Sequence, residues 1–98
     1  MIAGTHNNHQ IRDGDFRVML DSLQELFQEN GNAVTPKQLA TRMEQKLHRH
    51  VHYSFATYLF TLLGFTTRLG IGQENKSNHY IVFNAELFAE KQAYFSRD

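Results

Sequence analysis

The stretch TPKQLATRMEQKL, residues 35–47, carries the clearest structural signals in the chain. Thr35 precedes Pro36 and lies three residues before Gln38, a pattern typical of an N-cap threonine, a proline in the first helical turn and a capping-box glutamine. The segment therefore predicts a helix that runs to about His48, preceded by Val34 as a staple residue or as part of a short strand. Four apolar positions share one side of this helix: Leu39, Ala40, Met43 and Leu47.

Two further helices are predicted on either side of this segment. Residues 15–30 repeat apolar side chains at helical spacing, and Asn30-Gly31 is a typical stop signal. Residues 54–63 are apolar over most of a helical circumference, which indicates a helix deep in the domain. The polar residues 1–14 lack periodicity, and we expect them to form a flexible arm before a single domain of residues 15–98.

A change of period marks the region after the third helix. Apolar and other residues alternate over 65–71, a polar loop follows, and a second strand is predicted over 79–83, which together indicate a β-hairpin. Asn84 then caps a last helix that reaches about Phe95. The chain is therefore predicted to fold as one small α+β domain.

This element order resembles the winged helix-turn-helix superfamily. The resemblance is carried by residues 35–47, by residues 54–65 with their Leu63-Gly64-Phe65 step, and by the hairpin 66–83. It implies a three-helix core, a two-stranded β-hairpin wing and a C-terminal helix. It also implies that helix three enters the DNA major groove while the wing touches the backbone or minor groove. Some members of the superfamily use the same surface for protein contacts or dimerisation instead.

The charge distribution favours a nucleic-acid partner despite overall neutrality. The chain has 10 Lys plus Arg and 10 Asp plus Glu. Two cations and five anions give −3 over residues 1–36, six and two give +4 over 37–79, and two and three give −1 over 80–98. The positive excess lies on the predicted reading unit. Four residues on or after helix two are predicted phosphate anchors, although an ordinary solvated helix face explains them equally well: Lys37, Arg42, Lys46 and Arg49.

The exposed strip of helix three lacks the residue types that discriminate bases. Arg, Lys, Asn and Gln make the bidentate base contacts, and none of them occurs there. We therefore expect weak or shape-led sequence preference on double-stranded DNA, unless the hydroxyl groups simply face solvent or a partner chain. The predicted groove-facing residues are Ser54, Thr57, Tyr58 and Thr61, and the predicted wing contacts are Arg68, Asn75 and Lys76.

Six histidines in so short a chain raise the question of a metal site. His48, His50 and His52 alternate, so an extended backbone would project all three to one side, as a zinc site requires. No Cys, Asp or Glu lies within the run, which favours a proton-dependent basic patch that includes His79 over a metal site. We therefore predict no metal and no cofactor.

The sequence argues against an enzyme and against a membrane protein, which leaves a binding protein. The sequence has no cysteine, no Gly-rich phosphate loop and no other catalytic motif, so an enzyme is not expected. No apolar run is long enough to span a membrane and no apolar leader opens the chain, so we expect a cytoplasmic protein, nucleoid-associated if bacterial and nuclear if eukaryotic. The alternative function is protein–protein interaction or homodimerisation without DNA, through Val18, Tyr53, Tyr94 and Phe95.

Overall fold

Four helices and two antiparallel hairpins form the part of the chain that the computed structural model describes, namely residues 4–6, 9–71 and 77–96. The hairpin that follows three helices, together with the fourth helix, makes a small α+β fold compatible with a winged-helix layout. No helix within these ranges is long and apolar enough to cross a membrane. The elements are β1 (Gly4–His6), β2 (His9–Ile11), α1 (Asp13–Asn30), α2 (Pro36–Leu47), α3 (Tyr53–Leu62), β3 (Thr67–Ile71), β4 (Ser77–Ile81) and α4 (Ala85–Phe95).

Local signals set the ends of α2 as predicted. The Gln38 backbone N–H donates to Thr35 Oγ1 over 3.2 Å, and the Thr35 N–H donates to Gln38 Oε1 over 3.0 Å, which completes the capping box. At the other end His48 takes a left-handed conformation, φ 56° and ψ 36°, and stops the helix. The next helix begins one residue earlier than predicted, because the Nδ1 of His52 accepts the Ser54 N–H and caps α3.

The core lies where α1, α2 and α3 meet. The apolar stripe of α1 contributes five buried side chains and the partly buried Phe27; the buried ones are Phe16, Met19, Leu20, Leu23 and Leu26. The Phe95 ring of α4 stacks on Phe16 of α1, with centroids 4.9 Å apart. In this core α2 packs against α1 on one side and against α3 on the other. The fully buried side chains include Phe16, Met19, Leu23, Leu39, Met43, Leu59 and Phe60.

A backbone hydrogen bond attaches the β3–β4 hairpin to the start of α2. The Ile81 N–H donates to the Val34 carbonyl over 2.7 Å, so the residue before the α2 cap pairs with the hairpin like a short third strand. Thr67 faces Ile81 and Leu69 faces His79 across the hairpin. Ile81 is buried, which places the inner face of the hairpin beside α2 and α3.

The N-terminal region corrects the expectation of an arm over residues 1–14. β1 and β2 pair antiparallel, Ile11 is only 1% exposed, and α1 begins at Asp13. Residues 11–14 therefore belong to the folded domain, because Ile11 fills the core and the Asp15 carboxylate accepts the Arg12 N–H over 3.0 Å at the helix start. A single buried residue leaves no periodic pattern, so its burial cannot be recognised from the sequence.

Candidate nucleic-acid interface

The four predicted phosphate anchors do not lie on one surface. Lys37 lies in the first turn of α2, where it borders a cleft toward α3 and the hairpin as well as a groove lined by Glu29 and Arg42. Arg42 and Lys46 face α1, and Arg49 lies beyond the end of α2. The structure therefore divides the positive charge of this region between two different environments.

Arg42 and Lys46 are bound by acidic residues of α1. The Nη1 atom of Arg42 lies 2.8 Å from Glu25 Oε1 and 2.8 Å from Glu29 Oε2, and its Nη2 atom donates to Glu29 Oε1 over 2.8 Å. Lys46 Nζ lies 2.7 Å from Glu25 Oε2. We call these four residues the α1–α2 ion-pair cluster. A phosphate could bind there only by displacing carboxylates that already occupy the donors.

The ion pairs shift the pKa values of Glu25, Glu29 and Arg42. Hydrogen bonds from Lys46 and then from Arg42 lower the pKa of Glu25 below its usual range. The hydrogen bonds from Arg42 lower the pKa of Glu29, and the same contacts raise the pKa of Arg42. Glu25, Glu29 and Arg42 are therefore stabilised in their charged forms.

Arg49 forms an ion pair with the buried carboxylate of Asp15. Its Nη2 atom lies 3.0 Å from Oδ1 of Asp15, whose side chain is 8% exposed. The guanidinium also lies 5.8 Å from the centroid of the Phe55 ring. Because an unpaired buried charge is costly, the pairing gives Arg49 a role inside the protein that competes with phosphate binding.

A cleft of about 470 Å³ lies on the opposite side of α2, between α3 and the hairpin. We call it the α3–hairpin cleft. Three segments meet there, because the Ile81–Val34 hydrogen bond brings the hairpin to the first turn of α2 and α3 packs against α2. Its lining residues are Thr35, Pro36, Lys37, Tyr53, Thr57, Thr67, Asn78 and His79.

Of the four predicted groove-facing residues on α3, one lines this cleft. Thr57 lines it, with a hydroxyl that donates to the Tyr53 carbonyl over 2.9 Å. Ser54 is half-buried and its Oγ lies 2.9 Å from His52 Nδ1. Tyr58 packs against the core, and Thr61 is exposed away from the cleft lining.

Tyr53 is the main cleft residue that the predicted site lacks. Its side chain is 55% exposed, and its ring lies 4.5 Å from the His52 ring. The sequence pattern predicts a helix from Ser54, which leaves Tyr53 outside it as a candidate only for a protein interface. The His52 cap adds one residue to α3 and places the tyrosine on the cleft side.

The predicted wing contacts have separate positions. Arg68 lies on the face of β3 opposite Thr67 and Leu69, since side chains alternate along a strand. Its guanidinium lies 5.1 Å from the Tyr80 ring centroid, and its Nη2 donates to the Asn32 carbonyl over 3.3 Å. Asn75 and Lys76 lie outside the described residues.

Acidic side chains are segregated away from the cleft. Within the described ranges they lie on α1 and α4, with Glu44 near the end of α2 as the exception, and none lines the α3–hairpin cleft. Glu44 accepts the Val51 N–H over 2.9 Å and lies 2.9 Å from His50 Nδ1. The Val51 N–H is the main cause of a lowered pKa at Glu44, followed by the charge of His50.

The three alternating histidines have different local surroundings. His48 ends α2, His50 contacts Glu44, and His52 caps α3. Where side chains are described, no three His, Cys, Asp or Glu residues are placed to hold a metal ion.

The residues named for a protein interface divide in a similar way. Phe95 is buried against Phe16, and Val18 packs partly against the core. Tyr53 and Tyr94 are exposed by 55% and 39%. Only these two of the four are therefore accessible to a partner, while Leu69 of the hairpin, 66% exposed, is a further apolar surface residue.

Comparisons with known proteins identify no relative. No protein-family model matches the sequence, and searches of curated proteins and of solved structures give no match either.

Proposed function

We propose that the protein is a winged-helix DNA-binding module that contacts DNA through α3, the hairpin and the first turn of α2. It recognises shape and backbone more than base sequence, acts in transcription regulation or within a replication or mobile-element protein, and has no catalytic activity of its own. The observation that supports this best is the segregation of charge. Acidic groups gather on α1 and α4, while the described part of the α3–hairpin cleft presents Lys37 and His79 with no carboxylate.

The interface we propose differs from the four-anchor surface predicted from sequence. Lys37 is exposed and has no ion-pair partner within the described chain. Arg68 lies on the adjacent hairpin, and Lys76 belongs to the segment that joins β3 to β4. Arg42, Lys46 and Arg49 contribute little, because their charges are already compensated by Glu25, Glu29 and Asp15.

Salt dependence follows from the number of free cations. Each phosphate neutralised on duplex DNA contributes about −0.9 to the slope of log K against log salt. Two contacts, from Lys37 and Arg68, give about −2, whereas four anchors on α2 and its extension would give about −3 to −4. A low slope is therefore a quantitative mark of the interface proposed here.

The test is a titration of labelled duplex DNA with purified protein by fluorescence anisotropy, over about 20–200 mM salt. K37E and R68E should each weaken binding about tenfold, since each replaces an attraction by a repulsion. K91E on α4 is the matched control for charge reversal and should leave affinity unchanged. R42Q combined with K46Q should change it by less than about threefold.

Equal losses in K37E and K91E would mean that the effect is one of net charge, and the interface would be wrong. A large loss in the R42Q/K46Q protein, with folding intact by circular dichroism, would restore the four-anchor surface. No binding of any variant at low salt would reject a DNA-binding role.

The second candidate function is association with another protein or with a second copy of the chain. The exposure of Leu69 favours association. Leu69 pairs with His79 across the hairpin, and His79 lines the cleft together with Tyr53. Sedimentation velocity distinguishes the two functions. A dimer that L69D converts to a monomer, in a protein that binds no DNA, would support association.

A further inference from the structure

We infer that the α3–hairpin cleft binds one unpaired nucleotide, with its base stacked on Tyr53 and its phosphate near Lys37, so that the protein prefers single-stranded DNA or strand junctions to uniform duplex. This inference rests on the proposed DNA-binding function and specifies the form of DNA that the same face takes.

The dimensions of the cleft suit a ligand smaller than a duplex. Its volume of about 470 Å³ falls within the range of about 300–1,000 Å³ typical of clefts for small molecules and cofactors. The cleft lies between separate elements, α3 on one side and the hairpin on the other, with the first turn of α2 beside both. A flipped or unpaired nucleotide can enter such a space, whereas the paired bases of a straight duplex stay stacked inside the duplex and do not enter the cleft.

The aromatic residue of the cleft has the properties of a stacking platform. Tyr53 is 55% exposed although its ring lies 4.5 Å from His52, with 33° between the ring planes. His52 is itself held by two hydrogen bonds to Ser54 as the cap of α3. The tyrosine is therefore supported on one side by an ordered ring while most of its surface remains available to a base.

The polar residues around Tyr53 match the edges and the backbone of a nucleotide. Thr57, Thr67 and Asn78 present hydroxyl and amide groups, which serve both as hydrogen-bond donors and as acceptors. Lys37 supplies the cation that a phosphate requires, and none of the described lining residues is acidic and would repel the phosphate. Among them Asn78 is of a type that pairs bidentately with a base, but its Nδ2 already donates to the Tyr80 hydroxyl over 3.4 Å, so we expect binding that tolerates different sequences.

The number of free cations also favours a single strand. Duplex binders neutralise a row of phosphates, but the only described Lys or Arg that lines the cleft is Lys37, since Arg68 lies on the opposite face of β3 from Thr67. Proteins that bind single strands add base stacking on aromatic side chains to their electrostatic contacts, so stacking supplies part of the affinity. The combination of one exposed tyrosine with one lysine at the cleft fits the second mode.

The test compares labelled oligo-dT of about 15 nucleotides with a blunt duplex of the same length, by anisotropy at about 50 mM salt. The wild-type protein should bind oligo-dT about tenfold more tightly than duplex. Y53A should lose about tenfold on oligo-dT and less than about twofold on duplex, because the substitution removes the stacking surface. Y53F retains the ring and should bind within about twofold of wild type.

Y94A is the matched control, since Tyr94 is 39% exposed on α4, away from the cleft. It should leave both affinities unchanged. Thermal melting by circular dichroism verifies the fold of each variant, and H79A is a second cleft variant if Y53A does not fold.

The outcomes separate this inference from the proposed function. Tight duplex binding that K37E weakens and Y53A does not, with no preference for oligo-dT, would overturn the unpaired-nucleotide site and leave duplex binding in place. Absence of binding to both DNAs at low salt would remove the proposed function and this inference together. An equal loss in Y53A and Y94A would show a general effect of removing surface aromatics and would also overturn the site.

Discussion

The two sides of α2 carry cations of the same kinds but place them in opposite situations. On the side facing α1, Arg42 lies 2.8 Å from both Glu25 and Glu29, and Lys46 lies 2.7 Å from Glu25. On the side facing α3 and the hairpin, Lys37 is exposed beside a cleft that no described acidic residue lines. A count of charge along the chain treats these lysines and arginines alike. What determines their availability is the element that packs across from each one.

The two sides also differ in what holds them together. Between α1 and α2 the contact is built on buried apolar side chains, with the ion pairs at its edge. The α3–hairpin cleft is open, and the hairpin is attached there through the Ile81–Val34 backbone hydrogen bond. We therefore expect substitutions on the first side to affect stability and substitutions on the second to affect binding.

The largest expected effect comes from the buried α1–α2 contact. Leu39→Ala removes a side chain that is 0% exposed, and leaves a cavity that should lower the free energy of unfolding by about 2–5 kcal/mol. Tyr53→Ala on the cleft should change it by no more than about 0.5 kcal/mol. Urea denaturation followed by circular dichroism measures both. Similar losses in the two variants would mean that the cleft wall is part of the core, and the contrast between the two sides would disappear.

The next largest loss of stability is expected from a substitution in the β3–β4 hairpin. A Cβ atom at Gly70 would lie 2.8 Å from Cε2 of the Tyr80 ring and 3.0 Å from Nη1 of Arg68. Gly70→Ala therefore forces the ring and the guanidinium to move, and should destabilise the protein by about 1–3 kcal/mol. The measurement is the urea midpoint, together with duplex affinity, which should fall as Arg68 is displaced.

Gly14→Ala is the control for the glycine substitution. A Cβ there meets nothing within 4 Å, and Gly14 lies within α1, so alanine should stabilise the helix by up to about 1 kcal/mol. Destabilisation in both variants would indicate that the close Tyr80 contact is not the cause.

The cap of α2 gives a smaller effect at the edge of the cleft. Thr35→Ala removes the acceptor of the Gln38 N–H and should lower the free energy of unfolding by about 0.5–2 kcal/mol. Thr35→Ser retains a hydroxyl and should recover most of the loss. If serine fails to do so, the methyl group of the threonine contributes more than the hydrogen bond, and the capping account of this end of α2 is wrong.

The smallest effect is a pH dependence of the α1–α2 ion-pair cluster. The pKa values of Glu25, Glu29 and Glu44 are lowered in the folded protein from an ordinary value of 4.5. A carboxyl with a lowered folded pKa contributes stability above its unfolded pKa and loses it on protonation. The urea midpoint should therefore stay level above pH 4.5 and fall as the pH decreases below it.

The R42Q/K46Q protein separates the cluster from Glu44. Without the two cations, Glu25 and Glu29 should titrate near their ordinary values, so the fall below pH 4.5 should become shallower while the part due to Glu44 remains. An unchanged acid profile would show that these ion pairs contribute no net stability, as many exposed pairs do.

Much of the fold could be predicted because its signals are local. The capping box at Thr35 and Gln38 involves residues three apart, and the stop at Gly31, with φ 61° and ψ −127°, requires one residue with a positive φ, which glycine adopts without strain. The start of α4 at Asn84 is equally local, since its side chain accepts the Leu87 N–H. Such interactions form within one turn of the chain, so the sequence contains both partners.

The candidate site could be predicted only in part, because the pairing of charges is not local. Glu25 and Glu29 are four residues apart on α1, as Arg42 and Lys46 are on α2, and these matching rows were the available signal of an ion-pair cluster. Whether the rows face each other depends on how the two helices rotate about their axes when Leu39 and Met43 pack. That rotation is set by the whole core.

By itself, the sequence determined the helices α1 to α4, the caps at Thr35 and Asn84 and the β3–β4 hairpin, since their signals are local, whereas the His52 cap of α3 was missed. Only the tertiary structure decided which cations remain available, because the ion pairs join residues 13 to 34 positions apart in the chain, and packing must bring them within hydrogen-bond distance. It also decided that Tyr53, Lys37 and His79 share one cleft. Their proximity follows from the Ile81–Val34 hydrogen bond that attaches the hairpin to α2, a contact between distant parts of the chain.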